Sequence, residues 1–519
     1  MKSQIKPQVK PQVKPQTKLQ TKLQTNARTK AQPQTELPPQ PPLKAKPKTR
    51  PSIPPSPRLH AAVAADTRPR ARAIDRYDAP HQFEPLLPAE SVLGPLLERA
   101  SDLSRAATQL GGAAAPAALG ELRGLLRSMN SYYTNRIEGE HTRPSDIERA
   151  LQQDFSANLD LARKQRLALA HIHTEEICEA ELRARGASAA DATAETSARH
   201  STAADTQTQA STEAPGTPHD PAAATQRWLY STEALCGLHR HLFQGLPAAD
   251  RALASGGQLV PGQLRQADVA IGRHHAPAHA ALPAFMARWA LVYSGVRRGE
   301  AAVVALAAAH HRLAWMHPFM DGNGRVARLH THLLLHASGL SNGLWSPLRG
   351  FARSEARYKA LLQAADEHRR GDLDGRGNLT QAGLLDWVHY VLDICIDQVQ
   401  FMAQQLNVAS MRQRIAAALA FDAAQPKTGV RTEALMPLHY LFVAETEIGR
   451  ADFKTMTGLG DRVATETVSA LLRRGYLASD TPYGKLRLAI PRHALRFYFP
   501  ALWPEAEQEQ AALLAQAVG

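Results

Sequence analysis

The stretch His317-Pro-Phe-Met-Asp-Gly-Asn-Gly-Arg-Val-Ala-Arg328 constrains this chain more than any other segment. Pro318 disfavours helical geometry at His317, so a helix over AAVVALAAAHHRLAWM must stop there. Gly322 and Gly324 admit positive φ, which lets successive backbone N–H groups curve into an anion-binding nest. Apolar spacing at Val326, Leu329, Leu333 and Leu334 then predicts a second helix, adding its open N–H groups and its dipole. Arg325 and Arg328 fall in its predicted first turn, three apart and on one face. Each is unfavourable there by roughly 0.3–1 kcal/mol, because the helix end is already positive. Two cations at a positive end imply an anion between them. Guanidinium forks and backbone amides suit a polyphosphate. Asp321 is placed for a hard cation bridging phosphate oxygens, and His317 at the lip suits proton removal from an incoming hydroxyl.

Helical periodicity dominates elsewhere, over 91–110, 117–138, 146–182, 227–243, 280–297, 300–316, 324–338, 354–369 and 379–406. Residues 257–279 lack that period, and their Gly and Pro spacing predicts a short hairpin. Near the C-terminus an apolar helix at 432–443 precedes a helix, a turn at Gly458–Gly460, a helix over 461–474 and two short strands joined by TPYGK. That order resembles a winged helix-turn-helix. Arg473, Arg474, Lys485 and Arg487 are its candidate phosphate contacts.

The formal charge of +13 suggests nucleic acid until it is located. Residues 1–50 hold twelve Lys/Arg against one acid, Glu36, so this stretch carries +11 and leaves +2 for the other 469 residues. The basic character belongs to a Lys/Pro/Gln-rich tail with period-four repeats, read as disordered over 1–82. Residues 184–226, rich in Ala, Thr and Ser without apolar period, read as a low-complexity insertion. Three cysteines, Cys178, Cys236 and Cys395, imply no disulfide framework and a cytoplasmic setting. No apolar run suits a membrane span, and no GxxxxGK[ST] marks a P-loop.

The 317–328 stretch resembles the complete signature HxFx(D/E)GNGRxxR of the Fic (Fido) family, matching at every specified position. The likeness extends over about 85–405. It implies a mainly α fold, a Fic-type helical bundle with a β-hairpin flap, beside the C-terminal winged helix-turn-helix domain. The expected organisation is tail 1–82, N-terminal helical region 83–183, insertion 184–226, catalytic core 227–405, linker helix and winged-helix-like domain 406–500, and C-terminal tail 501–519. By resemblance the protein is an adenylyltransferase using ATP and Mg²⁺. His317 is the general base, Asp321 the metal ligand, Gly322, Asn323 and Gly324 the anion hole, and Arg325 and Arg328 the ligands of the outer phosphates. Ile271, Gly272, Arg273 and His274 lie in the hairpin that resembles the flap, which holds the protein substrate and borders the nucleotide. Tyr358 is placed like the residue lining the adenine side.

Far upstream, Glu138 precedes Gly139, a natural helix stop, so a carboxylate opposes the dipole at that end too. Thr134-Asn-Arg-Ile-Glu138-Gly139 matches the family's inhibitory motif (S/T)xxxE(G/N). The resemblance implies that Glu138 pairs with Arg328 and restrains AMP transfer from within the chain. Two alternatives stay open: a winged-helix DNA-binding regulator with a nucleotide-sensing Fic-like domain, and an enzyme whose main activity is AMP removal. DNA or protein contact by the winged helix and a homodimer remain compatible with the sequence. The clustered histidines, among them His310, His311, His332 and His336, lack an HExxH context and read mostly as polar helix positions.

Overall fold

A computed structural model describes residues 76–112, 116–201, 221–296, 299–444, 446–499 and 501. Most of the expected basic tail and C-terminal tail, and residues 202–220 of the expected insertion, lie outside these. Capping residues set the helix boundaries where periodicity alone missed them. The helix expected over 146–182 is two, α3 (Pro144–Leu151) and α4 (Leu159–Ser201), because Asn158 Oδ1 accepts the Leu161 N–H at 3.1 Å and starts a new helix. Likewise 227–243 divides into α5 (Pro221–Leu229) and α6 (Thr232–Gln244), where Ser231 caps the Ala234 N–H. The insertion expected from 184 starts later, since α4 runs on to Ser201. Alanine is the best helix former, and the segment is rich in it. The tail expected to reach 82 ends sooner: Tyr77 is buried, edge-on to Trp315, and its carbonyl accepts the Ala278 N–H.

The core is helical throughout. Helices α1 (Gly94–Gly112), α7 (Leu282–Gly295), α9 (Asn323–Ala337), α11 (Glu355–Asp366) and α12 (Gln381–Gln405) pack on α8 (Gly299–Met316), while α10 (Leu348–Arg353) packs between α12 and α2 (Pro116–Ile137). Every residue from Ala302 to Leu313 is buried, and the alanines among them let α1, α7, α9 and α12 close on it. Two indoles bond to its backbone, Trp289 to Ala309 O and Trp387 to Ala307 O, so their polar tips stay satisfied in the core. Helix α2 lies against α4, α9 and α10, which carries its C-terminal end to the start of α9.

The expected hairpin is short: β1 (Ala270–Ile271) pairs antiparallel with β2 (His274–His275), with Gly272 at φ 60° in the turn. Toward the C-terminus come α13 (Val408–Ala423), α14 (Leu435–Ala444), α15 (Arg450–Thr457) and α16 (Asp461–Arg474). Gly458 adopts φ 68° between the last two. The pair β3 (Leu477–Ala478) and β4 (Arg487–Leu488) and then α17 (Leu495–Tyr498) follow. Among the described residues no helix is long and apolar enough to cross a membrane.

Candidate functional site

Gly322, at φ 79°, is the residue before α9, and a Cβ there would meet the Phe243 ring at 2.5 Å. Only glycine satisfies both the left-handed backbone and that close approach. Helix α9 begins at Asn323, so the amides of Asn323, Gly324 and Arg325 have no carbonyl within the helix to bond to. Arg328 consequently stands in the second turn, not the first as expected, where the dipole penalty has faded. His317 adopts φ 49°, a strained conformation for a side-chain-bearing residue and one often kept at functional sites.

The two arginines differ. Arg328 is 1% exposed; its Nε donates to Thr134 Oγ1 at 2.8 Å and its Nη2 to Thr134 O at 3.2 Å and to Glu138 Oε1. Burial opposes its charge, and Glu138 and Tyr358 more than restore it. Burial would also raise the Glu138 carboxyl, but Arg328 and Arg325 outweigh that and hold it below the usual range. Glu138 reaches this position through a Schellman ending: Gly139 at φ 78° donates to Arg136 O and Glu140 N–H to Asn135 O. Arg325 is 7% exposed, its Nε has no hydrogen-bond partner, and its guanidinium lies 5.5 Å from the Phe243 ring centroid. A buried cation without a bonded partner is costly unless an anion completes it. Gly324 faces the same space, where an added Cβ would collide with Glu138 Oε1.

Several expected ligands sit differently. The Asn323 side chain is engaged by the loop itself, accepting from Phe319 N and donating to Phe319 O, both at 2.8 Å. It braces the nest, and only its backbone N–H is left for an anion. Tyr358 is buried at 3% exposure, with its hydroxyl on His310 Nε2 at 3.0 Å and on Arg328, so it props the arginine from beneath instead of lining an open face. His274 turns inward to donate to Trp315 O at 2.8 Å, because that carbonyl at the end of α8 needs a partner. Ile271, Gly272 and Arg273 are exposed at the hairpin tip. Asp321 is exposed with Oδ1 accepting its neighbour Gly322 N–H at 2.6 Å.

Among the described residues the His317 ring makes one hydrogen bond, Nδ1 to Ala314 O at 3.4 Å. A carbonyl can only accept, so Nδ1 carries the proton and Nε2 keeps its lone pair. Burial pushes its pKa down to about 4, so the ring is neutral at physiological pH. Two residues that sequence reasoning missed hold this loop. Arg265, 3% exposed, donates to the carbonyls of His317 (2.8 Å), Ala267 (2.9 Å) and Pro277, tying the hairpin segment to the motif. His239 accepts the Gly262 N–H at Nδ1 (2.8 Å) and therefore donates from Nε2 to Asp321 O (3.2 Å), with its ring stacked on Phe319 at 4.0 Å. Neither belongs to a recognisable motif.

Among known proteins, residues 229–335 match the sequence model of the Fic/DOC family. The chain carries a Fic domain there. Such domains are typically those of transferases that use a nucleotide substrate. Two solved structures align with the chain. One is a Fic family protein from Desulfovibrio desulfuricans G20, 15% identical, covering 80% of this chain and 98% of that one with a TM-score of 0.42. The other is a Fic domain containing signaling protein from Bacteroides thetaiotaomicron VPI-5482, 17% identical, covering 59% and 95% with a TM-score of 0.39.

The expected phosphate contacts near the C-terminus are partly engaged. Arg474 makes a two-pronged pair with buried Asp422 at 2.9 and 2.7 Å, and Arg487 pairs with Asp480 at 3.3 Å. Helix α16 exposes Asp461 and Glu466 beside Arg462 and Arg473, a balanced surface and not a basic stripe.

Proposed function

We propose that this protein transfers AMP from ATP to a hydroxyl group of a protein substrate, and that its own Glu138 restrains the reaction. The observation that carries this is the pair of buried arginines at the start of α9, one with its Nε lacking a hydrogen-bond partner and the other held by Glu138. A polyphosphate tail would complete Arg325 and compete with Glu138 for Arg328, while the open amides of Asn323, Gly324 and Arg325 receive phosphate oxygens. Asp321, exposed and with Oδ1 engaged only by its neighbour's amide, fits a Mg²⁺ ion. When bound, that ion would neutralise charge on the phosphate oxygens.

The substrate hydroxyl oxygen attacks the α-phosphorus as the bond to pyrophosphate breaks, and the hydroxyl proton passes to His317 Nε2. Arg325 and Arg328 hold the departing phosphates. The exposed hairpin tip at Ile271–Arg273 offers backbone for strand addition by the substrate chain. Incubation with Mg²⁺ and ATP labelled in its α-phosphate tests the reading. Label should become covalently attached to protein, and His317→Ala should abolish this while ATP binding persists, since His317 contacts no phosphate. Equal labelling by His317→Ala would remove it as the base. Label carried only from the γ-phosphate would refute AMP transfer.

A further inference from the structure

Behind the arginine face, α4 and α9 enclose a second set of charged side chains. Glu175 and Glu179 stand one turn apart on α4, and His332 stands one turn beyond Arg328 on α9. None is more than 2% exposed. Their nitrogen and oxygen atoms lie within 4.8 Å of one another. His332 Nε2 is 3.4 Å from Glu175 Oε1 and 3.7 Å from Glu179 Oε1. Both are ion-pair separations without hydrogen-bond geometry, and neither ring nitrogen of His332 has a hydrogen-bond partner. His171, one turn before Glu175 and fully buried, also has both ring nitrogens without such a partner. Its Nδ1 is 3.8 Å from Glu175 Oε2, which is unpartnered as well.

Buried polar atoms are normally hydrogen-bonded, so an imidazole and a carboxylate oxygen left without such partners in one cluster point to something that binds there. The spacing indicates what. Two ligands on one tetrahedral ion, with bonds of about 2.0–2.2 Å, stand about 3.4 Å apart. We propose that Glu175, Glu179 and His332 are the protein ligands of a buried site for one divalent transition-metal ion of the zinc class. Mixed imidazole and carboxylate donors favour such an ion over Mg²⁺ or Ca²⁺, which prefer oxygen throughout. The carboxylates are also oriented as metal ligands usually are. Asn130 Nδ2 donates to Glu175 Oε1 at 2.8 Å, and Arg127 Nη2 to Glu179 Oε2 at 2.7 Å. Both donors lie on α2, the helix that ends just before Glu138, so the ion would fasten α2, α4 and α9 together behind the phosphate face. The competing arrangement is a metal-free imidazolium at His332 between the two carboxylates.

Chelator-stripped full-length protein, reloaded with Zn²⁺ or Co²⁺ and desalted, separates the two. The site should retain one ion per chain and raise the Tm by several degrees, and Co²⁺ should show the visible absorption of a four-coordinate nitrogen and oxygen environment. His332→Gln should lose the ion, whereas Asp321→Ala, altered only at the motif loop, should keep it. Wild-type protein that retains no ion and shows no Co²⁺ band overturns the proposal, as does equal retention by His332→Gln. Should that variant not fold, the wild-type Co²⁺ spectrum and stoichiometry decide alone.

Discussion

The start of α9 and the end of α16 both carry two arginines, and the two pairs are treated oppositely. At α16 the cations stand in the last turn, where the helix dipole favours them, and Arg474 is locked onto the fully buried Asp422 together with His493. At α9 Arg325 stands in the first turn against the dipole, buried, with its Nε unpartnered. Charge set with the field and closed by a partner fastens structure. Charge set against the field and left open awaits a ligand. Glu138 on Arg328 is the intermediate case, a partner that a phosphate could replace.

Acid should divide the two regions most strongly. Burial pushes His239, His317 and His330 down to about 4. The unfolded chain binds those protons near pH 6.5 and the folded one does not, so stability falls as pH drops from 6.5 toward 4. The slope is about 1.4 kcal/mol per pH unit for each histidine. Burial would raise the Asp422 carboxyl, but Arg474 and His493 hold it below its ordinary value. Its contribution is therefore present above the unfolded pKa and is lost only as pH falls through that lowered value. Hydrogen exchange at stepped pH should show α8 and α9 losing protection before α13 and α16; the reverse order would break the contrast.

A smaller effect is expected at Asp422 itself. Asp422→Asn strands Arg474 and His493 and should lower stability by about 3 kcal/mol in urea unfolding, with ATP affinity unchanged. Smaller again is Arg325→Met. It removes a charge whose Nε has no hydrogen-bond partner, so the urea midpoint should change little. ATP affinity should drop about ten- to hundredfold, from the loss of one charge-assisted bond of roughly 1.5–3 kcal/mol. A loss of stability without a loss of affinity would make Arg325 structural, like Arg474.

The motif segment was legible because its backbone demands are local. Pro318 ends one helix, and Gly322 is obligatory where φ is positive and the Phe243 ring presses close. The Glu138–Arg328 contact was legible from two mismatched helix ends and a resemblance. What stayed hidden depends on long-range packing. Tyr358 and His274 occupy motif-like positions, yet their hydrogen bonds turn them inward, toward His310 and Trp315. Arg265 acts through backbone carbonyls brought together only by the fold. His332 read as a polar helix position because its partners, Glu175 and Glu179, lie more than 150 residues away on α4.

We propose that Glu138 occupies a phosphate position at the α9 arginines. The most direct test is the rate of AMP transfer by Glu138→Gly against wild type, using ATP labelled in the α-phosphate. Removing a charge-assisted contact of roughly 1.5–3 kcal/mol should raise labelling about ten- to hundredfold, and His317→Ala added to it should return labelling to background. Unchanged labelling in Glu138→Gly would contradict the account and leave the pair with Arg328 a structural contact alone.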